Sequence, residues 1–154
     1  MGTKFNGSVE QVTALNLFIK LNRAADSVSN RVNNFINSQH LTVSQFGVLE
    51  ILFHLGSMSQ CDIGKKLLKT GGNMTMVIDN LEKRNLVERV RNEHDRRFIE
   101  VHLSSDGEKL IEKIFPKHVE KIVEEMSILT QEEQIEFSRL CKKLGMQEAE
   151  LISK

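Results

Sequence analysis

Apolar residues recur at helical spacing over most of this chain, and one stretch of short alternating runs interrupts them. From about Val9 to Asn37, Val12, Leu15, Ile19, Val28, Val32 and Phe35 share a stripe among Asn, Arg and Ser. A helix this long needs a partner to bury that stripe, from the same chain or another. Thr42-Val43-Ser44-Gln45 reads as a capping box. It opens a second helix dense in Phe46, Val48, Leu49, Ile51, Leu52 and Phe53, which stops at Gly56. Such density marks a central core helix. Ser59-Gln60-Cys61-Asp62 is a similar start with Asp in place of Glu, and it begins a short helix, Gln60 to Leu68, with Ile63 and Leu67 inward. Thr70-Gly71-Gly72-Asn73 reads as a turn, followed by a fourth helix to about Arg84 with Met74, Val77, Ile78 and Leu81 inward.

The period then changes. Leu86 to Arg91 and Phe98 to Leu103 are short enough to be hairpin strands, and Ile99, Val101 and Leu103 alternate to one side. Ser105-Asp106-Gly107-Glu108 is expected to cap a fifth helix running to about Met126, kinked at Pro116. Thr130-Gln131-Glu132-Glu133 caps a sixth, with Ile135, Leu140, Cys141 and Leu144 on its apolar side. The predicted class is mainly α with a small β-hairpin. The first and last helices carry more apolar surface than a small central domain can cover. They are read as packing together and around a second subunit.

Composition narrows the picture. A chain of 154 residues forms one domain, or one domain with an appendage, and needs no disulfide to build a core. There is no 18-residue apolar run, and Met1-Gly2-Thr3-Lys4-Phe5 lacks the apolar stretch of a signal peptide, so a cytoplasmic protein with no membrane partner is expected. Asn6 stands where a myristoylation motif wants Ser or Thr. Cys61 and Cys141 form no Cys-x-x-Cys motif and read as free thiols. Net charge is zero, but its distribution is uneven: residues 1–59 carry +1, residues 60–97 carry +3 and residues 98–154 carry −4. Affinity for nucleic acid requires a local basic face, which the central third supplies.

The third and fourth helices fit a helix-turn-helix, two short helices joined by a Gly-containing turn. The second helix of such a pair enters the major groove with its first turn at the base edges. Here that turn offers Thr70, Gly72, Asn73, Thr75 and Met76, with Asn80 a turn further on. Asn pairs with adenine, Thr bonds either way, and Met meets a thymine methyl. The competing reading of this segment alone is a helical hairpin in any all-α core. The adjoining loop Asn92-Glu93-His94-Asp95-Arg96-Arg97 raises the DNA reading, because arginines at a loop tip have no core role and gain from a narrow minor groove. Arg89 and Arg91 on the first strand are read as phosphate ligands.

Leu41-Thr42-x-x-Gln45-Phe46-x-Val48-Leu49, Gln60 to Leu67, Asp79-x-Leu81-Glu82-Lys83-Arg84-x-Leu86-Val87-x-Arg89, Asp95-Arg96-Arg97 and Leu103-Ser104-x-x-Gly107 together resemble the winged helix-turn-helix of the multiple-antibiotic-resistance-regulator (MarR) family. The flanking helices match in order and length. The resemblance implies a winged helix-turn-helix at 41–104 between dimerisation helices at 1–40 and 105–154, all in one intertwined domain. It also implies a homodimer on double-stranded, pseudo-palindromic operators, working as a repressor. Arg97 resembles the wing arginine of the minor groove and Asp95 the carboxylate that braces the wing. Two residues depart from the pattern: Gly71-Gly72-Asn73 stands where many relatives carry larger residues, and Asn85 replaces the usual Gly. Asn tolerates the left-handed conformation, so the second departure is mild.

The resemblance further implies an effector pocket for a small aromatic or anionic molecule, with Arg23, Phe46, Phe53, His54 and Phe115 as candidate lining. Some relatives are thiol switches. Cys61 is the candidate here because the first turn of a helix favours a thiolate, against the plainer reading of a half-buried residue. Cys141 reads as core. His40, His54, His94, His102 and His118 form no paired ligand spacing, and no nucleophile elbow or phosphate loop occurs, so neither metal, cofactor nor enzyme chemistry is expected. His118 is read as a packing or interface residue. A helical protein-interaction module without DNA binding is the remaining alternative, and the arginine-rich hairpin argues against it.

Overall fold

The computed structural model describes residues 4–68, 71–91 and 99–146. Among the described residues, six helices and three short strands follow in the order α1 (Val9–Ser38), α2 (Val43–Leu55), β1 (Met58–Ser59), α3 (Gln60–Lys66), α4 (Gly71–Lys83), β2 (Val87–Arg91), β3 (Ile99–Leu103), α5 (Ser105–Met126) and α6 (Gln131–Gly145).

Local chemistry sets most of these boundaries. Thr42 Oγ1 accepts from Gln45 N at 3.2 Å, and Gln45 Oε1 accepts from Thr42 N at 3.0 Å, closing the predicted box. Thr130 and Glu133 do the same for α6, and Ser8 and Gln11 for α1. Each such cap is worth about 1 kcal/mol. At α3 the box is incomplete. Ser59 Oγ accepts from Asp62 N at 3.2 Å, but the Asp62 carboxylate, one methylene shorter than Glu, accepts from the Ser59 hydroxyl instead of the cap backbone. That hydroxyl and Lys65 hold the Asp62 carboxyl below its ordinary pKa. The cap of α5 is Ser104, one residue before the expected Ser105. The helix continues through Pro116.

The expected turn at Thr70-Gly71-Gly72-Asn73 is also corrected. Gly71, Gly72 and Asn73 already belong to α4. The reversal begins earlier, at Leu68, whose φ of 51° is left-handed and whose side chain is exposed. Thr70 lies outside the described residues. Asn85 adopts a φ of 56°, as its replacement of Gly requires. Its amide donates to Asp106 Oδ2 at 3.0 Å, tying the end of α4 to the start of α5.

The sheet runs β1-β3-β2, antiparallel throughout, with Met58 opposite Val101, and Val87 opposite Leu103 through Arg91 opposite Ile99. The core gathers Ile36, Leu41, Val48, Leu49, Leu52, Ile63, Met74, Ile78, Leu81, Val87, Val101, Ile111 and Ile114. The predicted inward face of α4 is buried in full. Each large apolar side chain removed from water there contributes about 2 kcal/mol.

This core covers only part of the chain. The last two turns of α1 and the first half of α5 enter it. Leu17, Phe18, Val119 and Val123 stay exposed, and α6 buries none of its residues. Cys141, expected in the core, is therefore exposed, and so is Cys61 rather than half-buried. Among the described residues no helix is long and apolar enough to cross a membrane.

Candidate nucleic-acid interface

Packing divides the surface of α4 into two strips. Met74, Val77, Ile78 and Leu81 face the core, which turns Asn73, Met76 and Asn80 outward along one exposed line at spacings of three and four. Met76 is 60% exposed, an apolar side chain left in water at the middle of that line. Gly72 is exposed at its start, and a Cβ built there meets nothing within 4 Å, so the helix entry is open to close approach.

Of the second strip, Thr75, Asp79 and Glu82, Thr75 accepts from Gln60 Nε2 of α3 at 2.7 Å, and the two carboxylates are tied to the hairpin. Arg89 Nη2 donates to Asp79 Oδ1 at 2.6 Å, Nη1 donates to Glu82 Oε2 and the Arg89 backbone N–H donates to Glu82 Oε1 at 3.2 Å. Burial works against the guanidinium charge, but the bonds to Asp79 and Glu82 outweigh it and hold the Arg89 pKa above its ordinary value. The expected phosphate ligand is therefore corrected: this guanidinium is spent inside the fold, fixing the hairpin root against α4. Arg91, two residues on, is exposed at the end of β2. Asp95, Arg96 and Arg97 lie outside the described residues. Arg84 Nη1 donates to the His40 carbonyl at 2.8 Å and anchors the far end of α4 to the α1–α2 connection.

The expected effector residues separate. Phe53, His54 and Phe115 form one ring cluster, with centroids 4.6 Å apart for His54–Phe115 and 6.4 Å for Phe53–Phe115. Phe46 is buried elsewhere, against His118 at 4.6 Å. Arg23 is exposed on α1 and makes no ion pair among the described residues. A separate cleft is touched by none of the five. It measures about 830 Å³ and lies between α1 and the α5–α6 corner, with Ala24, Val28, Met126, Leu129, Phe137 and Leu140 among its walls. Among the described residues no group of His, Cys, Asp or Glu could hold a metal ion.

His118, read from the sequence as a packing or interface residue, packs inside the chain. It is 8% exposed, and its Nδ1 has no partner among the described residues. Burial pushes its pKa below 6.5, with the Glu50 carboxylate pulling the other way. The unfolded chain therefore binds a proton first as pH falls, so stability is complete above about pH 6.5 and declines as pH drops toward the lowered pKa. Urea midpoints taken between about pH 7 and about pH 5 should fall in the native protein and flatten in His118→Phe. An equally steep fall in the variant would assign the loss to other groups.

Comparison with known proteins agrees with this geometry. The sequence profile of the MarR family matches residues 41–99. The HTH-type transcriptional regulator MhqR of Bacillus subtilis is 35% identical over 133 residues, covering 86% of this chain and 92% of that protein. The crystal structure of AbsC, a MarR family transcriptional regulator from Streptomyces coelicolor, superposes with a TM-score of 0.79 at 21% identity, over 99% of this chain and 100% of the other. Bordetella bronchiseptica BpsR, whose DNA binding is regulated by 6-hydroxynicotinic acid, superposes with a TM-score of 0.75 at 27% identity, over 84% of this chain and 98% of that one. An exposed polar helix face beside a braced hairpin, a family match centred on it and a relative aligned along nearly its whole length lead to one conclusion: this chain belongs to the MarR family of DNA-binding transcriptional regulators.

Proposed function

We propose that the protein is a homodimeric repressor of pseudo-palindromic operators, released by a small aromatic or anionic effector. The observation that carries this reading is the uncovered apolar surface of α1, α5 and α6 flanking an outward-facing α4. Leu17, Phe18, Val123, Ile128, Phe137 and Leu140 are all left exposed on or beside these helices, and uncovered apolar surface of this kind calls for a partner of the same kind. Residues 1–40 and 105–154 then serve as the dimerisation segments around a reading unit at 41–104. A two-fold pair of α4 helices suits half-sites one helical turn apart.

In this reading Asn73, Met76 and Asn80 face base edges, and Arg91, Arg96 and Arg97 hold phosphate or the minor groove. The effector sits against the ring cluster of Phe53, His54 and Phe115, between α2 and α5. BpsR supports an effector of this class, since an aromatic acid regulates its DNA binding. A ligand that favours one spacing of the two reading units would shift the population away from the operator-competent one.

A mobility shift on duplex DNA across a salt series tests the proposal. Log affinity should fall with log salt at about 0.9 per phosphate neutralised. Arg97→Ala should lower both the affinity and that slope. Binding that ignores salt, or an Arg97→Ala protein that binds like the native one, would overturn the assignment.

A further inference from the structure

The two covalent passages between the terminal helices and the reading unit are held at one place. The chain leaves α1 through His40, a left-handed residue with a φ of 57°, and it enters α5 through Ser104. Adjacent residues at the end of α4 grip both passages. Arg84 Nη1 donates to the His40 carbonyl at 2.8 Å. Asn85 Nδ2 donates to Asp106 Oδ2 at 3.0 Å, and the Asn85 carbonyl accepts from Ser104 Oγ at 2.5 Å. Elsewhere α4 packs mostly on α2, α3 and β2, all parts of the reading unit itself.

The Arg84 bond has an electrostatic reason. α1 carries no basic residue in its last turn, where the unpaired carbonyls of a helix gather partial negative charge. Arg84 brings a cation to that end from another element. Among the described residues it has no carboxylate partner, so the His40 carbonyl is what holds it. A bond from a charged donor is stronger than one between neutral groups.

We infer that Arg84 is a positioning residue that fixes the angle of α4 to α1 and so sets the half-site spacing the dimer accepts. That role rests on the reading of the protein as an operator-binding homodimer, with α1 in the dimer and α4 in the groove. In that reading α4 meets DNA by its first turn and is anchored at the opposite end. A helix of 13 residues is about 20 Å long, so a tilt of about 10° at Arg84 moves the first turn by about 3 Å. That is close to the rise of one base pair, about 3.4 Å. The anchor therefore acts on spacing without touching DNA.

The test selects sites from a random duplex pool with the native protein. Affinities are then measured for the best site, for versions with one base pair inserted or removed between its halves, and for a duplex that keeps one half. Native affinity should fall about tenfold or more on insertion, because protein or DNA must deform. Arg84→Met should bind the best site about fivefold more weakly, lose only about threefold more on insertion, and bind the single half as the native protein does. Arg84→Lys should keep most of the native profile, since one ammonium N–H suffices for one carbonyl. A native profile in Arg84→Met would overturn the inference. So would a loss on the single half with a shallower salt slope, which makes Arg84 a phosphate ligand. A proportional loss at every spacing would reduce it to a stabilising residue and overturn the inference too. The Leu41 amide nitrogen, bonded to the His40 carbonyl carbon, reports the anchor without DNA. Its resonance should move in Arg84→Met and return in Arg84→Lys. An unmoved resonance overturns the anchor itself. A resonance that moves, in a protein whose native form is monomeric or binds all spacings alike, overturns the homodimer reading and the positioning role with it.

Discussion

Replacing Gly107 by Ala should unfold the reading unit at markedly lower temperature, although helix propensity alone points the other way. Gly107 is the third residue of α5 after the Ser104 cap, a position where Ala normally gains up to about 1 kcal/mol over Gly. The surroundings decide the sign. A Cβ at Gly107 would lie 1.9 Å from the Leu86 carbonyl oxygen, 2.9 Å from its carbon and 3.3 Å from Leu103 Cδ2. The first two neighbours are backbone and cannot swing aside. Leu86 is held from both directions: its N–H donates to the Leu81 carbonyl at 3.0 Å, and its own carbonyl accepts from Ser104 N at 3.2 Å. Relief requires α5 to move away from the α4–β2 junction, which breaks the bond from Gly107 N to Ser104 Oγ and that from Asn85 to Asp106.

The expected loss is about 3 kcal/mol or more, the upper range for overpacking, and melting should fall by about 6–12 °C. Ser104→Ala, which removes the cap without a clash, should cost only about 1 kcal/mol. A Gly107→Ala protein melting at or above the native temperature would show that the close approach is not rigid. The same contact explains the Leu103-Ser104-x-x-Gly107 motif. Its serine caps α5, and its glycine lets α5 pass against the end of α4.

The elements with clean periods were legible in the sequence. The inward face of α4 and the Thr42 and Thr130 capping boxes needed only local rules. β1 escaped because two residues show no alternation, and Met58 and Ser59 become a strand only by pairing with Val101 and Glu100. Arg89 was misassigned because a lone arginine on a strand beside a basic loop has the look of a phosphate ligand. The signal against it was present in the carboxylates Asp79 and Glu82, three apart on the face of α4 that the returning strand must cross. The Gln60–Thr75 bond links residues fifteen apart and joins two helices whose crossing no period reveals. Cys141 failed for a different reason. Its stripe is apolar, as read, but periodicity says that a face needs covering and not which chain covers it.

That covering is where the other large effect is expected. Phe137 and Leu140 are 48% and 46% exposed, and both line the cleft between α1 and α6. Phe137→Glu with Leu140→Glu would place two carboxylates in a surface that a dimer must dry, beside the carboxylates of Glu132, Glu133 and Glu136 already on its rim. Central apolar anchors of an interface each cost about 2 kcal/mol or more when lost, so the pair should weaken association by at least about 1,000-fold. α6 buries nothing within its own chain, so its helix content should survive the change. Sedimentation should find dimers of the native protein and monomers of the variant, with far-ultraviolet dichroism retained. Affinity for a duplex carrying two half-sites should drop by about 100-fold or more, because the second α4 no longer arrives at high effective concentration. Affinity for a single half-site should hardly change, since Phe137 and Leu140 lie on α6, remote in sequence from the exposed Asn73, Met76 and Asn80 of α4. A variant that stays dimeric would place the two-fold axis elsewhere. One that turns monomeric yet keeps full affinity for the paired site would separate dimerisation from operator recognition.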